Sequence, residues 1–555
     1  MDPEKASATS YSQFACIGAG FSAIGLGATL KRWYGITDIQ FFERHGQLGG
    51  TWYVNQYPGC ACDVPSVLYS FSFEPNPDWT RILPSNAELK QYLDRVSDKY
   101  DLTSKMTFGV NVEGCEWIEE RSSWRLRIRR YETGEVLFHE SQFLFSGSGQ
   151  LVTPREIDVP GASAFKGPIF HSARWRNDVD LTGKKVVVFG NGCTAAQIVP
   201  NIVAKTEHTT QIVRAQHWIL PPIDMPIPPW MRFMLRNIPG ALQLFRFLVF
   251  AMAERQLRGL PMTESAARFR EKMREKAEKY MRKTAPAKYH DILIPDFEVG
   301  CKRRIFDSGY LNSLHSSNMT LTDSPALEIV PEGVRTKDGI IPADAIVLAN
   351  GFATNHFFDK MQIVGRGGET VGKHWHDAGG PTAYNSSVIS GFPNFFVLLG
   401  PNAATGHTSA LMAAENSINY ALRVIKPVLD GKASVVDLKK EAEDEYTERV
   451  QKDLENTVWN SGCQSWYVKD EGPGKRWNAM SYPWTQSYFW YRSRFPVWRD
   501  WRFSGEMKPQ RSGWLQGIAV FGVLCITSGW WLWGQNVNWR VLAATLQDTV
   551  FNRTL

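Results

Sequence analysis

Apolar and polar positions follow several different periods along this chain, and each period predicts a different kind of element. Short unbroken apolar runs, Phe14-Ala15-Cys16-Ile17, Ile39 to Phe42 and Val186-Val187-Val188-Phe189, read as buried strands. Between the first two lies a small-residue stretch through Leu26 and Ala28 to Leu30, which predicts a closely packed helix. Strict alternation in Trp124-Arg-Leu-Arg-Ile-Arg129 predicts a half-exposed strand within hairpins, and Phe143 to Gly149 closes that unit. From Pro221 to about Gly300 the pattern becomes one of amphipathic helices. Met231 to Met252 is rich in Phe and Leu, but Arg232, Arg236 and Arg246 make it a poor membrane span. Near the end, Trp514 to Gly534 carries no charge, finishes in Trp530, Trp531 and Trp533, and follows Arg499, Arg502, Lys508 and Arg511. That pattern predicts one transmembrane helix with its amino end cytosolic, with a helix lying on the membrane surface or a buried terminal helix as alternatives.

Length changes the picture first. A chain of 555 residues exceeds what one hydrophobic core supports, so several domains are expected. The net charge of +6 is small for this length and its basic residues are scattered among acids, which argues against a nucleic-acid partner. The eight cysteines form no C-x-x-C pair and no metal-type spacing, and no secretory leader precedes Cys16. They read as reduced thiols facing cytosol, with no metal site; Cys60 and Cys62, the close pair, read as structural.

Two glycine-rich turns carry the candidate chemistry. Gly18-Ala19-Gly20-Phe21-Ser22-Ala23 follows a predicted strand, opens a predicted helix, and is followed by a strand ending on Glu43. Gly18 permits the turn, Gly20 lets backbone approach a pyrophosphate, Ala23 keeps helix and strand close, and Glu43 would accept hydrogen bonds from a ribose. Gly190-Asn191-Gly192-Cys193-Thr194-Ala195 repeats the arrangement after Val186–Phe189, but its next strand, Gln211-Ile212-Val213, leads to Arg214. An arginine there suits a 2′-phosphate, so NADP is favoured over NAD. Cys193 reads as a small packing residue, not a nucleophile. An α/β fold with two Rossmann-like dinucleotide-binding domains follows.

Further segments extend the pattern. Gly49-Gly50-Thr51-Trp52 and Tyr57-Pro58-Gly59-Cys60-Ala61-Cys62-Asp63 form an aromatic turn-rich stretch. Between the glycine turns, Phe165, Gly167, His171 and Trp175 fall in the register F-x-G-x-x-x-H-x-x-x-W, although Arg176 follows where Pro or Asp is usual. Ala349-Asn350-Gly351-Phe352 is similar to an A-T-G-F segment with Asn350 in place of Thr. Taken together, these motifs resemble those of the Baeyer-Villiger monooxygenases, flavoenzymes that insert oxygen beside a ketone, over roughly residues 12 to 500.

The resemblance implies FAD on the first turn, with Gly50, Thr51, Trp52, Asp63, Tyr69 and Val112 at flavin-contact positions. It implies NADP on the second, with His171 and Trp175 contributing. It also implies a split FAD domain (12–150 and 351–505), an inserted NADP domain (151–222 and 299–350), and a helical insertion (223–298) shaping the substrate entrance. By the same resemblance, NADPH reduces FAD, the reduced flavin activates molecular oxygen, and Arg303 stabilises an oxyanion-like ketone adduct while Asp63 orients Arg303. Arg304 is the rival assignment. His407, beside Gly406, reads as a capping or packing residue. The expected substrate is an apolar ketone, a polyketide or terpenoid. An N- or S-oxidising flavin monooxygenase, an uncoupled NADPH oxidase and a non-catalytic nucleotide binder remain as alternatives.

Overall fold

A computed structural model describes residues 9–504 apart from positions 152, 355, 356, 359, 360, 464 and 471–475. The apolar segment Trp514–Gly534 and Cys525 lie outside the described residues. Among the described residues no helix is long and apolar enough to cross a membrane.

The first sheet is built around the opening apolar run. β1 (Ser10–Ile17), β2 (Ile39–Phe42) and β3 (Met106–Thr107) pair in parallel, while β4 (Val110–Ile118), β5 (Ser123–Arg130) and β6 (Val136–Ser146) form an antiparallel meander. β6 also pairs in parallel with β1, which joins the meander to the parallel strands. Its core is aromatic: Phe14 stacks on Phe143 at 4.9 Å, and Trp124 is fully buried with its indole N–H donating to the Pro393 carbonyl at 2.8 Å. Each such ring contributes roughly 1.5–3 kcal/mol by leaving water.

The second sheet uses β7 (Ile169–His171), β8 (Lys185–Phe189), β9 (His208–Ile212), β12 (Met319–Thr322) and β16 (Ala345–Leu348), all parallel, in the order β12-β9-β8-β16-β7. The intervening strands are minor. β10 (Ile219–Leu220) pairs with β11 (Ile305–Phe306), and β13 (Ala326–Val330), β14 (Gly333–Thr336) and β15 (Gly339–Pro342) make a small antiparallel sheet. The chain then returns to the first sheet. β17 (Gln362–Val364) joins β4 and β18 (Phe395–Val397) joins β6, so every strand of the second sheet lies between strands of the first in sequence.

Helices follow from the same patterning. α1 (Phe21–Tyr34) is buried from Ser22 to Leu30, and its small side chains let it lie between the first sheet and the helix Ala410–Val424. α2 (Thr51–Val54) is one turn; α3 (Asn86–Lys99) starts on a capping box made by Ser85 and Glu88. α4 (Cys193–Ile202) follows β8. The region between the second and third parts of the parallel sheet carries α5 (Pro229–Asn237), α6 (Ala241–Glu254) and α7 (Glu264–Thr284).

One expectation needs correction. Cys301 and Cys463 form a disulfide, 162 positions apart in sequence, so these cysteines are not reduced thiols. Neighbouring spacing could not reveal the pair, because only the tertiary fold brings the two segments together. The inference of a reducing compartment from cysteine usage therefore loses its basis. Cys16, Cys60, Cys62, Cys115 and Cys193 are free.

Candidate active site

Both glycine turns have the same local construction. Gly18 has φ +99°, and a Cβ there would lie 2.7 Å from the Gly147 carbonyl oxygen; Gly190 has φ +112°, with the Ala349 carbonyl oxygen 2.3 Å from the corresponding point. Only glycine satisfies both constraints. The Gly18 amide donates to the Phe42 carbonyl and the Gly190 amide to the Ile212 carbonyl, so each turn is held by the end of the next strand. The third positions, Ala23 and Ala195, are fully buried where helix meets strand. Neither α1 nor α4 has a side-chain cap, which leaves first-turn amides for an anionic ligand.

The surroundings of the two turns differ. Gly50 stands opposite Gly20, and a Cβ on Gly20 would come within 3.5 Å of the Gly50 Cα. Glu43, buried at the end of β2, accepts from the Ala19 amide at 2.8 Å and the His45 amide at 2.9 Å. One carboxylate oxygen thus pins the turn and the other the loop after β2, roles that carry no sequence signal. Its remaining lone pairs are what a ribose would use. Beside the turn, Trp52, Tyr69 and Phe21 form an edge-to-face set, with Trp52 donating to the Tyr69 hydroxyl at 3.3 Å. Burial pushes the Tyr69 phenol upward, so it stays protonated. Thr51 opens α2, and Val112 is buried in β4 next to a register shift.

At the second turn, a Cβ on Gly192 would meet no atom within 4 Å, so no protein atom demands glycine there. That open side and the uncapped α4 suit a pyrophosphate. Arg214 follows β9 and projects into solvent, its Nη1 donating to Asp158 at 2.7 Å; the two side chains are 68% and 72% exposed. Asn350 donates to the Arg155 and Glu156 carbonyls, and its buried Oδ1 has no partner.

His171 lies at the end of β7. The Ala173 amide donates to its Nδ1 at 3.0 Å, which assigns the proton to Nε2, and Nε2 donates to the Gly351 carbonyl at 3.0 Å. Burial lowers its proton affinity, so the ring is neutral. Both nitrogens are therefore used within the protein, clasping the Phe165–Trp175 segment to the return strand. Trp175 packs edge-on against Phe170.

The stretch Tyr57–Asp63 spans from one turn to the other. Tyr57 donates to Gln197 of α4, and Gln197 donates back to the Ala61 carbonyl. Gly59 is so close to α4 that a Cβ would lie 2.7 Å from the Gln197 carbonyl oxygen. This contact delivers Asp63 to Arg303. Arg303 donates from Nε to Asp63 Oδ2 at 2.7 Å and from Nη2 to Asp63 Oδ1 at 2.5 Å, a two-point fork, with 37% and 27% of the side chains exposed. The Asp63 charge holds the guanidinium well above its ordinary value. Burial alone would raise the Asp63 carboxyl, but Arg303 more than offsets this and keeps it below the usual range.

Arg304 is bonded to Gln256, at 3.1 Å, and not to Asp63. Cys193 and Tyr467 lie near enough to Arg303 to feel its charge. Burial pushes the Cys193 thiol up to about 11, so it is no thiolate nucleophile. His407 faces the Thr405 carbonyl and Glu254 with its two nitrogens, in keeping with a packing role. A cavity of about 60 Å3 is lined by Arg303, Arg304 and His407 together with Leu257, Phe269 and Trp459. Tyr467, Trp459 and Gln256 carry no motif, and only the tertiary fold reveals them. The Cys301–Cys463 disulfide ties the segment bearing Arg303 to the segment bearing Tyr467. A larger cavity of about 440 Å3 lies at the amino ends of β1 and β2, lined by Tyr11, Asp38 and His139. Open α/β sheets bind ligands at the carboxyl ends of their strands, so this is not the active site.

Two strand–glycine turn–helix units, with Asp63 from the chain between them meeting Arg303 from the chain after the second, define a protein built to hold two dinucleotides. Residues 12–267 match the family described as flavin-binding monooxygenase-like. The chain is 34% identical over 480 residues to a Baeyer-Villiger monooxygenase of Streptomyces coelicolor, covering 86% of this chain and 89% of that protein. A FAD-binding monooxygenase of Aspergillus niger is 34% identical, over 82% of this chain and 76% of its own length. Among solved structures, a cyclohexanone monooxygenase from Rhodococcus sp. Phi1 bound to NADP+ superposes with a TM-score of 0.78 at 24% identity, over 90% of this chain and 100% of that one. The chain belongs to the flavin-binding monooxygenase-like family, and within it to the Baeyer-Villiger monooxygenases.

Proposed function

We propose that the cleft where Asp63 and Arg303 meet is the place of oxygen insertion beside a ketone, with FAD held at the Gly18 turn and NADP at the Gly190 turn. When bound, FAD reduced by NADPH supplies the activated oxygen. The Gly20–Gly50 approach, the uncapped α1 and the aromatic set of Trp52 and Tyr69 are the residues that suit a flat dinucleotide cofactor. Gly192, the first turn of α4 and Arg214 suit a second dinucleotide bearing a 2′-phosphate, with Thr194 and Cys193 at the helix start.

The Asp63–Arg303 fork is the observation that carries this reading. A carboxylate that engages two N–H groups leaves the rest of a planar, permanently charged guanidinium to face negative charge developing on a ketone oxygen. Donors already aimed at such charge need no reorganisation during reaction, which is where electrostatic catalysis gains most. Asp63 acts through Arg303 by fixing its plane. The apolar residues in the lining, Leu257, Phe269 and Trp459, favour an apolar ketone, and a polyketide or terpenoid is the proposed class. A C-terminal membrane helix at Trp514–Gly534 is proposed on sequence grounds alone; truncation before Ser512 should move the protein from membrane pellet to supernatant with its flavin retained.

Turnover of a panel of apolar ketones under labelled oxygen, followed by mass spectrometry, tests the reaction. One labelled atom in an ester or lactone is the expected product. With matching sulfides and amines offered in parallel, label found only on those would assign heteroatom oxidation, and peroxide without product would assign an oxidase.

A further inference from the structure

The stretch that carries Arg303 has little backbone support of its own. Cys301 to Arg304 belongs to no helix or strand, and among the described residues Lys302, Arg303 and Arg304 make no backbone–backbone hydrogen bond. The stretch is held at its ends. Where β11 begins, the Ile305 amide donates to the Trp218 carbonyl; at the other end the Cys301 amide donates to the Glu298 carbonyl and the Cys301 sulfur is bonded to Cys463. Between the ends only side chains act, with Lys302 donating to the Gln216 carbonyl at 3.5 Å, Arg303 to Asp63 and Arg304 to Gln256. Cys463 opens the segment that brings Tyr467 to the cavity beside Arg303, so one covalent bond fixes two parts of the lining relative to each other. A cross-link between residues 162 positions apart restrains far more chain than a local hydrogen bond does.

The two sulfurs differ in access. Cys301 is fully buried, whereas Cys463 is half-buried and follows the exposed Ser461 and Gly462. A thiolate arriving from solvent therefore meets Cys463, and attack there expels Cys301 as the leaving thiolate. That leaving group has a donor waiting. The Ser461 hydroxyl lies 2.7 Å from the Val458 carbonyl oxygen and 3.2 Å from the Cys301 sulfur, and its single proton turns to the stronger acceptor once that sulfur is charged. We propose that the Cys301–Cys463 bond is a thiol-exchange switch on the active site, opened by a dithiol reductant and closed by its oxidised form. In the first step one sulfur of the reductant forms a mixed disulfide with Cys463 and Cys301 leaves. In the second the reductant's other sulfur displaces Cys463 and closes its own disulfide. Two electrons and two protons thus pass from the dithiol to the two cysteines. Opening loosens the backbone between Cys301 and Ile305, so Arg303 keeps its fork to Asp63 but loses its fixed place relative to Tyr467 and Trp459. The consequence for catalysis rests on the reading that Arg303 faces the ketone oxygen: a misplaced donor slows oxygen insertion, and NADPH oxidation runs on to peroxide.

The full-length flavin-loaded protein, equilibrated in buffers of reduced and oxidised dithiothreitol, tests this, with alkylation and peptide mass spectrometry reporting the bond. Bridged peptide is expected in the oxidised buffer and free thiols in the reduced one, with flavin retained in both. Hydrogen exchange at residues 301–304 should rise several-fold on opening and fall back on reoxidation. Ester formed per NADPH oxidised should drop by about threefold or more and recover in the same way. Cys463→Ser should show the low ratio and the fast exchange in either buffer; should that variant lose its flavin, the reversible titration of the wild type decides. Unbridged cysteines in the oxidised buffer, or a bond that opens only when the protein unfolds, would overturn the proposal. So would opened protein whose melting temperature falls while its exchange at 301–304 and its ester ratio stay unchanged, since the bond would then be a structural staple. The exchange measurement needs no ketone. Protein that opens and loosens at 301–304 yet makes no ester from any ketone would therefore contradict oxygen insertion and support the switch.

Discussion

The two glycine turns share a backbone plan, yet one is closed in by the protein and the other is left open. At the first, Glu43 is buried and its carboxylate holds the turn through the Ala19 amide and the loop after β2 through the His45 amide, and a Cβ on Gly20 would lie 3.5 Å from the Gly50 Cα. At the second, Gly192 has no neighbour within 4 Å and Arg214 stands in solvent beside Asp158. A turn held rigid by its own surroundings suits a cofactor that stays through every cycle. An open turn whose charged end is already solvated suits a nucleotide that comes and goes, because little protein must be desolvated or ordered when it binds.

The sharpest way to break this comparison is to place a methyl group where backbone forbids it in the first turn and where the protein leaves room in the second. Gly18→Ala puts a Cβ at positive φ against the Gly147 backbone, which cannot yield, so a loss of about 1–3 kcal/mol and most of the bound flavin is expected from denaturation curves and absorbance. Gly192→Ala should leave thermal stability and flavin content within error, because surface changes away from contacts stay within about 0.5 kcal/mol. It should instead raise the KM for NADPH. If both variants lose flavin alike, the turns are not functionally distinct.

Arg214→Ala sharpens the comparison at the open turn. Removal of a charged partner of the 2′-phosphate should weaken NADPH by roughly tenfold or somewhat more, with NADH unchanged. Asp158→Ala should act in the opposite direction and by less, since an exposed pair contributes about 0–1 kcal/mol. Equal losses for both nucleotides in Arg214→Ala would assign the 2′-phosphate elsewhere.

The smallest effect is on pH dependence. Burial lowers the His139 imidazole, on β6 of the first sheet, to about 4, and burial with Lys302 lowers His217, beyond the second glycine turn, to about 4. In the unfolded chain both take up a proton near 6.5, which the folded state refuses, so stability should fall as pH drops from about 6.5 toward 4. His139→Gln should flatten part of that slope in acid-unfolding curves, and an unchanged slope would remove His139 from the account.

Both glycine turns were legible in the sequence because their demands are local: strand, turn and helix sit within a few residues of each other. The Arg303–Asp63 fork was legible only through family register, since 240 positions separate its members. Structure then distinguishes Arg303 from Arg304, which is bonded to Gln256. What could not be read were contacts made by folding alone. Glu43 reads as a ribose acceptor, but not as a residue that two backbone amides also hold, and the bonds that engage both nitrogens of His171 have no sequence signal. Cys301 and Cys463 reveal nothing by spacing. The Phe- and Leu-rich stretch around α6 was visible as apolar, but the sequence could not tell which of its faces the protein covers.

The most direct test of the account is ester formed per NADPH oxidised by Arg303→Ala, measured beside Arg304→Ala and wild type. Arg303→Ala should retain its flavin, since Arg303 bonds to Asp63 and not to either glycine turn. Ester formation should fall by on the order of a hundredfold or more, the scale for removing one preorganised donor, with NADPH oxidation diverted to hydrogen peroxide. Arg304→Ala should lose far less. Ester formation by Arg303→Ala at the wild-type rate would contradict the assignment.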